Sequence, residues 1–324
     1  MVNVSVIIPT YNRADLVTNA IESVLCQTYR DFEIIVADDG STDDTRARIE
    51  PYMDKITYFY QENEGKSVAT NRAMERARGK WIAILDSDDV WLPDKLKFQI
   101  EALQNVGEGC GLCFTDGVLV NNPNMKGGLF ERSGIKFQHE YGRIENPTSF
   151  VLDPIYEHRI YVQTTLIQKK LLEGVGGFDP KLRVVQDVDM MFKISMQTNF
   201  VYVNRSLIKI DRTPNQMRLI EMIKQDSQMA LTGYQHMYEN WTNLGKNLQA
   251  DLQKIIRTRL ADVHNRWANW HITEERPQQA LEELSKAFKL SRRYQLLVKK
   301  LIFRFVPSIS RNVYQKRAMK QQFV

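Results

Sequence analysis

With three cysteines in 324 residues, no unbroken run of 18 apolar residues and neither common phosphate-binding loop, the sequence excludes several classes of protein at once. A membrane-spanning helix needs about 20 consecutive apolar residues, and no charged, apolar leader precedes the first apolar stretch, Val4 to Ile8, so a cytoplasmic chain is expected. Cys26, Cys110 and Cys113 are too few for a disulfide framework. Cys110 and Cys113 form a C-x-x-C without a second pair, inside a strand-like C-G-L-C-F, and are expected to be buried thiols. Gly65-Lys66-Ser67 looks like the end of a Walker loop, but the required first glycine position holds Tyr60. No G-x-G-x-x-G follows the first strand, which argues against a dinucleotide-binding dehydrogenase. The last shortage is of acid. From Ser285 to Val324 there are eleven Lys or Arg and no Asp or Glu, so this tail carries +11 and the rest of the chain −6.

What the chain does have is concentrated between Trp81 and Pro93, W-I-A-I-L-D-S-D-D-V-W-L-P. Trp81 to Leu85 reads as a buried strand that runs directly into Asp86, Asp88 and Asp89. Buried carboxylates are costly unless they are paired or bind a metal, and open α/β sheets collect their ligands at strand ends. Asp86 and Asp88, two residues apart, leave an extended chain on the same side and can share one hard cation. This points to a divalent-metal site for a phosphate-bearing substrate. The same acids also suit a solvated turn that caps a helix over Asp94 to Leu103, and the stretch alone leaves both readings open.

The neighbouring segments repeat the pattern. Val4 to Ile8 is a β-branched run closed by Pro9, and Leu16, Ala20, Ile21, Val24 and Leu25 then recur at helical spacing. Phe32 to Ala37 is a second strand ending in Asp38 and Asp39, and Gly40 to Asp44 offers a turn and an N-cap for a helix through Ile49. Ile56 to Tyr60 is a third strand, and Ser67 to Ala77 a helix stopped by Gly79. Strands alternating with helices predict an α/β fold with a doubly wound, mostly parallel sheet. Between Gly117 and Ile160 the periodicity fails in a stretch rich in Asn, Gly and Pro, which reads as loops and short strands and contains the lone His139 and His158. A strand over Tyr161 to Gln168, a short helix over Lys169 to Leu172, a helix from Gln186 to Met196 and a strand over Leu207 to Asp211 follow.

Five segments in order, V-S-V-I-I-P-T-Y-N-R, E-I-I-V-A-D-D-G-S-T-D-D-T, G-K-S-V-A-T-N-R-A, G-K-W-I-A-I-L-D-S-D-D-V-W-L-P-D-K-L, and G-G-F-D-P with Q-D-V-D-M, span Val2 to Arg212 and resemble the successive motifs of family 2 glycosyltransferases of the GT-A fold. The resemblance implies a catalytic domain over residues 1–212, with 213–324 a helical extension. It also implies a UDP-sugar donor, a Mn2+ or Mg2+ ion and inversion at the anomeric carbon. Pro9, Thr10 and Tyr11 would then hold the nucleoside, and Asp38 or Asp39 would accept the uracil N–H; both acids equally suit a helix cap. Asn63 and Asn71 are further candidates around the base and diphosphate. Asp86-Ser87-Asp88 matches the D-x-D motif, Asp88 as the direct metal ligand and Asp86 reaching the ribose or the ion through water. A cation there stabilises the charge that grows on the leaving diphosphate. Asp187 matches the general base, kept ionised by its place at a helix N-terminus, although Asp187 and Asp189 could simply cap that helix. Arg212 would close over the diphosphate, and Asp89, Trp91 and Gln186 would lie on the acceptor side.

The chain departs from the family in three places: Gln186 stands where Glu is usual, Thr70 where Arg is frequent, and Thr213-Pro214 where His is frequent. The segment Tyr294 to Phe305 combines an apolar face with Lys299, Lys300 and Arg304, which suits either an anionic membrane surface or a helix docked on protein. With family habit, this suggests a glycan or lipid-linked glycan acceptor at the inner face of the cytoplasmic membrane. No nucleic-acid-binding fold is legible, so no nucleic-acid partner is expected. Two rivals are a catalytically idle nucleotide-sugar-binding regulator, motivated by Gln186 and Thr70, and a nucleotidyltransferase, which would release pyrophosphate.

Overall fold

The computed structural model describes residues 2–122, 127–153, 160–213 and 227–305. His158, Pro214 and residues 306–324 of the basic tail lie outside them. The chain divides into two compact units, Met1–Gln216 and Met217–Val324.

The first unit is an α/β structure on a nine-stranded sheet, ordered β3-β2-β1-β4-β8-β6-β9-β5, with β7 paired to β9. β1 (Val4–Thr10) is buried along its whole length, as a strand covered on both faces requires. It lies parallel to β2 (Phe32–Asp38) and to β4 (Trp81–Ile84). β3 (Thr57–Tyr60) extends the parallel set. α1 (Val17–Leu25) buries Val17, Ala20, Ile21 and Val24, each large aliphatic side chain contributing about 1.5–3 kcal/mol on burial.

Past β4 the sheet is mixed. β8 (Thr165–Gln168) runs antiparallel to β4 and to β6 (Cys110–Val120). β9 (Asn199–Asp211) is parallel to β6 and antiparallel to both β7 (Tyr141–Ile144) and β5 (Val90–Trp91). The expectation of a mostly parallel sheet therefore describes the first four strands. In the segment expected as a strand from Tyr161, Val162–Thr164 forms a 3-10 turn and the strand starts at Thr165. Cys110 and Cys113 are buried free thiols, and burial raises the pKa of both.

Between the strands lie α2 (Thr45–Ile49), α3 (Lys66–Arg76), α4 (Lys95–Val106), α5 (Leu129–Arg132), α6 (Thr148–Val151), α7 (Lys169–Gly174) and α8 (Gln186–Ser195). The parallel strands β1, β2 and β4 all end, at their C-termini, in loops that carry the candidate residues.

The second unit is helical: α9 (Ser227–Leu244), α10 (Ala250–Thr273), α11 (Pro277–Ser291) and α12 (Tyr294–Phe305). Ala261, Ala268, Ala280 and Ala287 sit in its core with Leu284, Leu296 and Phe303. Pro277 opens α11, where its missing N–H costs nothing. No helix among the described residues is long and apolar enough to cross a membrane.

Candidate active site

Two loops meet beyond β1 and β2. The Asn12 amide N–H donates to Ser41 Oγ at 2.9 Å, Thr42 N–H to Asn12 Oδ1 at 2.8 Å, and Arg13 N–H to Thr45 Oγ1 at 2.9 Å. Pro9 pairs with Ala37, and the Thr10 carbonyl accepts from Asp39 N–H at 2.9 Å. Thr10 Oγ1 is buried with no hydrogen-bond partner among the described residues, while Tyr11 is exposed.

Neither Asp38 nor Asp39 caps the following helix, whose N-cap is Asp44. Asp38 accepts from Ser41 N–H and from the Tyr58 hydroxyl, each at 2.9 Å. Burial and the Asp38 charge raise the Tyr58 pKa, so the phenol stays a donor. Asp39 accepts from Gln61 Nε2 at 2.7 Å and from the amides of Glu64 and Gly65 at 3.0 and 2.9 Å. The second acid thus shapes the loop that presents Asn63 and starts α3. Gly40, at φ +86°, is required there, since an added Cβ would lie 2.7 Å from the Asn63 amide nitrogen.

Three carboxylates gather beyond β4: Asp86, Asp88 and Asp89 each offer an oxygen within 4.8 Å of the others. Lys66, the first residue of α3, is ion-paired with Asp86 Oδ1. Gln163 Nε2 donates to Asp86 Oδ2 at 2.5 Å. Asp89 is 1% exposed. One of its oxygens accepts from Asp211 N–H at 3.0 Å, and the other is buried without a partner among the described residues. Burial, then the charges of Asp86 and Asp88, push the Asp89 pKa well above the usual carboxylate range. An all-oxygen set with crowded negative charge and an orphaned buried oxygen fits a hard divalent cation. Ser87, between the acids, is buried.

Val185 leads into α8 with φ +56°, in the left-handed region. A β-branched residue there is strained, and such strain gathers at functional sites. It presents Gln186 and Asp187 to a pocket lined also by Lys66, Ser67, Thr70, Ile84, Val162 and Phe178. Gln186 Oε1 is buried without a partner among the described residues, and Asp187 Oδ1 accepts from Val188 N–H at 2.9 Å. Asp189 pairs instead with Lys193 at 2.7 Å. Burial works against the Lys66 charge, but the charge and hydrogen bond of Asp86 together with the charges of Asp187 and Asp88 raise its pKa. Arg212 donates from Nη1 to the Asp211 carbonyl at 2.9 Å, and its charge bears on Asp89.

Three of the expected site residues have partners within the fold. Both ends of the Asn71 carboxamide bond to Phe178, donating to the carbonyl at 2.8 Å and accepting from the amide at 2.9 Å. Asp89 and Trp91, expected on the acceptor side, are both buried. The Asp89 bond to Asp211 ties the acidic turn to the end of β9, and Trp91 is 2% exposed, its indole N–H donating to the Gln163 carbonyl at 3.2 Å. Their shared cause is β5, whose pairing of Val90 with Lys209 and Trp91 with Ile208 folds the acid-rich turn back onto the sheet. Arg72 points to Glu64 and Gln61, at 2.7 and 3.0 Å, and so supports the loop.

Sequence reasoning missed Lys66 and Gln163. Lys66 carried a signal, a cation just after a glycine at a helix start, but it was absorbed into the rejected Walker loop. Gln163 carried none, because only the sheet brings it to Asp86.

Residues 5–161 match the family described as glycosyl transferase family 2. An uncharacterised glycosyltransferase of Rickettsia prowazekii is 34% identical over 206 residues, which is 64% of this chain and 63% of that protein. The chain therefore spans a little under two thirds of that relative's length. A UDP-Glc:alpha-D-GlcNAc-diphosphoundecaprenol beta-1,3-glucosyltransferase of Escherichia coli, WfgD, is 36% identical over 126 residues, 38% of this chain and 49% of that one. Among solved structures, S. aureus TarS in complex with UDP superposes with a TM-score of 0.57 at 19% identity, over 90% of this chain and 89% of that one. That identity speaks for the fold, which is of the GT-A kind. Residues 5–161, a little under half of the chain, thus resemble glycosyl transferase family 2, and the structure around them has a fold of the GT-A kind.

Proposed function

We propose that the protein is an inverting glycosyltransferase that moves a sugar from a UDP-sugar to a hydroxyl of a glycan or lipid-linked glycan. The observation that carries this reading is the position of Lys66. One ammonium is paired with Asp86, feels Asp88 and Asp187, and lines the pocket of Asp187. The acidic cluster and the candidate base thus address one space.

In the proposed reaction the acceptor hydroxyl oxygen bonds to the anomeric carbon as the bond from that carbon to the diphosphate oxygen breaks. The hydroxyl proton passes to Asp187, and the nucleoside diphosphate leaves with the bonding electrons. Asp187 lies in the first turn of α8, where the helix N-terminus favours negative charge. Pro9, Thr10, Tyr11, Asp38, Asp39 and Asn63 would form the nucleoside side, and Arg212 the diphosphate side. Gln186, whose orphaned carbonyl oxygen lines the pocket, would accept from a substrate hydroxyl. Asp88 with Asp86 would hold Mn2+ or Mg2+, which when bound supplies positive charge to the leaving diphosphate.

The UDP donor draws support from TarS, which binds UDP. The lipid-linked acceptor draws support from WfgD, which acts on a diphosphoundecaprenol-linked sugar. For placement at an anionic membrane surface the support is α12, which exposes Tyr294, Leu301, Ile302 and the charge of Arg304.

Thermal stabilisation across nucleotide-sugars with and without Mn2+ tests the donor, since a ligand of the folded state raises its stability by mass action. Single turnover then tests the chemistry: UDP is the expected product, pyrophosphate would mark a nucleotidyltransferase, and tight binding without UDP release across the donor panel would mark an idle regulator.

A further inference from the structure

Lys66 belongs to no part of the reaction as written above, yet among the described residues it is the one cation lining the Asp187 pocket. Thr70, one helical turn on, lines the same pocket and brings no charge; its hydroxyl donates back to the Lys66 carbonyl at 2.7 Å, which fixes both residues on one face of α3. The start of α3 is fixed in turn by Asp39, through the Glu64 and Gly65 amides. Lys66 is thus anchored at the backbone, while its long side chain spans from the nucleoside loop to the acidic cluster.

Asp86 has both oxygens engaged, one by Lys66 and the other by Gln163. A divalent ion shared by Asp86 and Asp88 would place two positive charges beside that ammonium. Like charges a few ångströms apart in a partly desolvated site repel strongly, so Lys66 and the ion compete for Asp86. The ammonium side chain is 37% exposed and keeps the freedom to swing. In the pocket it lines, the anion that would receive it is the diphosphate of the donor, which is an acceptor of charge-assisted hydrogen bonds.

We propose that Lys66 is a donor-binding residue with two alternating partners: it neutralises Asp86 before substrate arrives, and it moves to the nucleotide diphosphate when the ion takes Asp86. The proposal rests on the nucleotide-sugar reading above. Lys66 would lower affinity for the metal alone, raise affinity for the diphosphate, and so couple ion and nucleotide binding.

The test is calorimetric titration of Mn2+ alone, of UDP with Mn2+, and of uridine with Mn2+, into the full chain and its Lys66→Met and Lys66→Arg variants. Lys66→Met should bind Mn2+ alone more tightly and UDP about tenfold or more weakly, the range for a hydrogen bond to a charged group, with uridine affinity unchanged. Lys66→Arg should retain UDP binding. UDP affinity unchanged in Lys66→Met, UDP and uridine affinities falling together, or Mn2+ affinity falling would each overturn the proposal. A wild-type protein that binds neither UDP nor uridine would overturn the nucleotide-sugar reading itself, and with it the diphosphate role of Lys66.

Discussion

Gln163 Nε2 donates to Asp86 Oδ2 at 2.5 Å, and the main-chain carbonyl of the same residue accepts the Trp91 indole N–H at 3.2 Å. The first acid of the D-S-D sequence is therefore held by a residue 77 positions away that is itself tied to the buried ring. Removing the carboxamide leaves Asp86 Oδ2 without this donor and the carboxylate oriented by Lys66 alone. Gln163→Ala should lower Mn2+ affinity by about 10- to 100-fold, as for other groups that orient metal ligands. Titration of Mn2+ into both proteins, with circular dichroism to show an unchanged fold, checks this.

Asn71 should behave as a structural residue. Its carboxamide makes two hydrogen bonds to Phe178 and abuts Gly177, which sits at φ +70°. Asn71→Ala leaves the Phe178 amide and carbonyl without these partners, at a cost of about 1–3 kcal/mol. Urea unfolding should show that loss while uridine affinity stays the same.

Lys95 predicts the pH dependence of the first unit. It is fully buried, its ammonium 4.0 Å from the Trp91 ring centroid and 2.9 Å from Gln99 Oε1. Burial lowers its pKa from 10.5 to about 7. Between those values the unfolded chain binds more protons than the folded one, so this residue makes stability rise with pH across the window, by up to about 1.4 kcal/mol per pH unit. Lys95→Met, which keeps the length and removes the charge, should flatten the profile measured by denaturant midpoints on either side of the window.

In the second unit, Leu301 and Ile302 are 44% and 40% exposed on a helix that also carries Lys300 and Arg304. Replacing both aliphatics with Ser should weaken sedimentation with anionic vesicles while leaving the melting temperature nearly unchanged, because neither side chain is in the core. Equal sedimentation of the double variant would remove the membrane role.

The first half of the sheet was legible because its strands are short apolar runs that end beside Thr10, Asp38 and Asp86, and a parallel strand buried on both faces leaves that signature. β5 was not, being two residues inside an acid-rich turn, and its pairing with β9 is what buries Asp89 and Trp91. β7 lies in the Asn/Gly-rich stretch where no periodicity survives. At the site, the D-S-D acids and Asp187 could be read from spacing and resemblance. The Lys66 and Gln163 partners could not, because hydrogen bonds over 20 and 77 residues are made by topology.

Metal-dependent UDP release by the wild-type chain and by Asp88→Ala, measured with the donor that stabilises the wild type best, tests the assignment of the acidic cluster most directly. Wild-type release should require Mn2+ or Mg2+. Asp88→Ala should lose about 10²- to 10³-fold in kcat, as when other charge-stabilising groups are removed, with its melting temperature retained. Full metal-dependent turnover in Asp88→Ala would contradict the placement of the metal, and with it the organisation of the site around the end of β4.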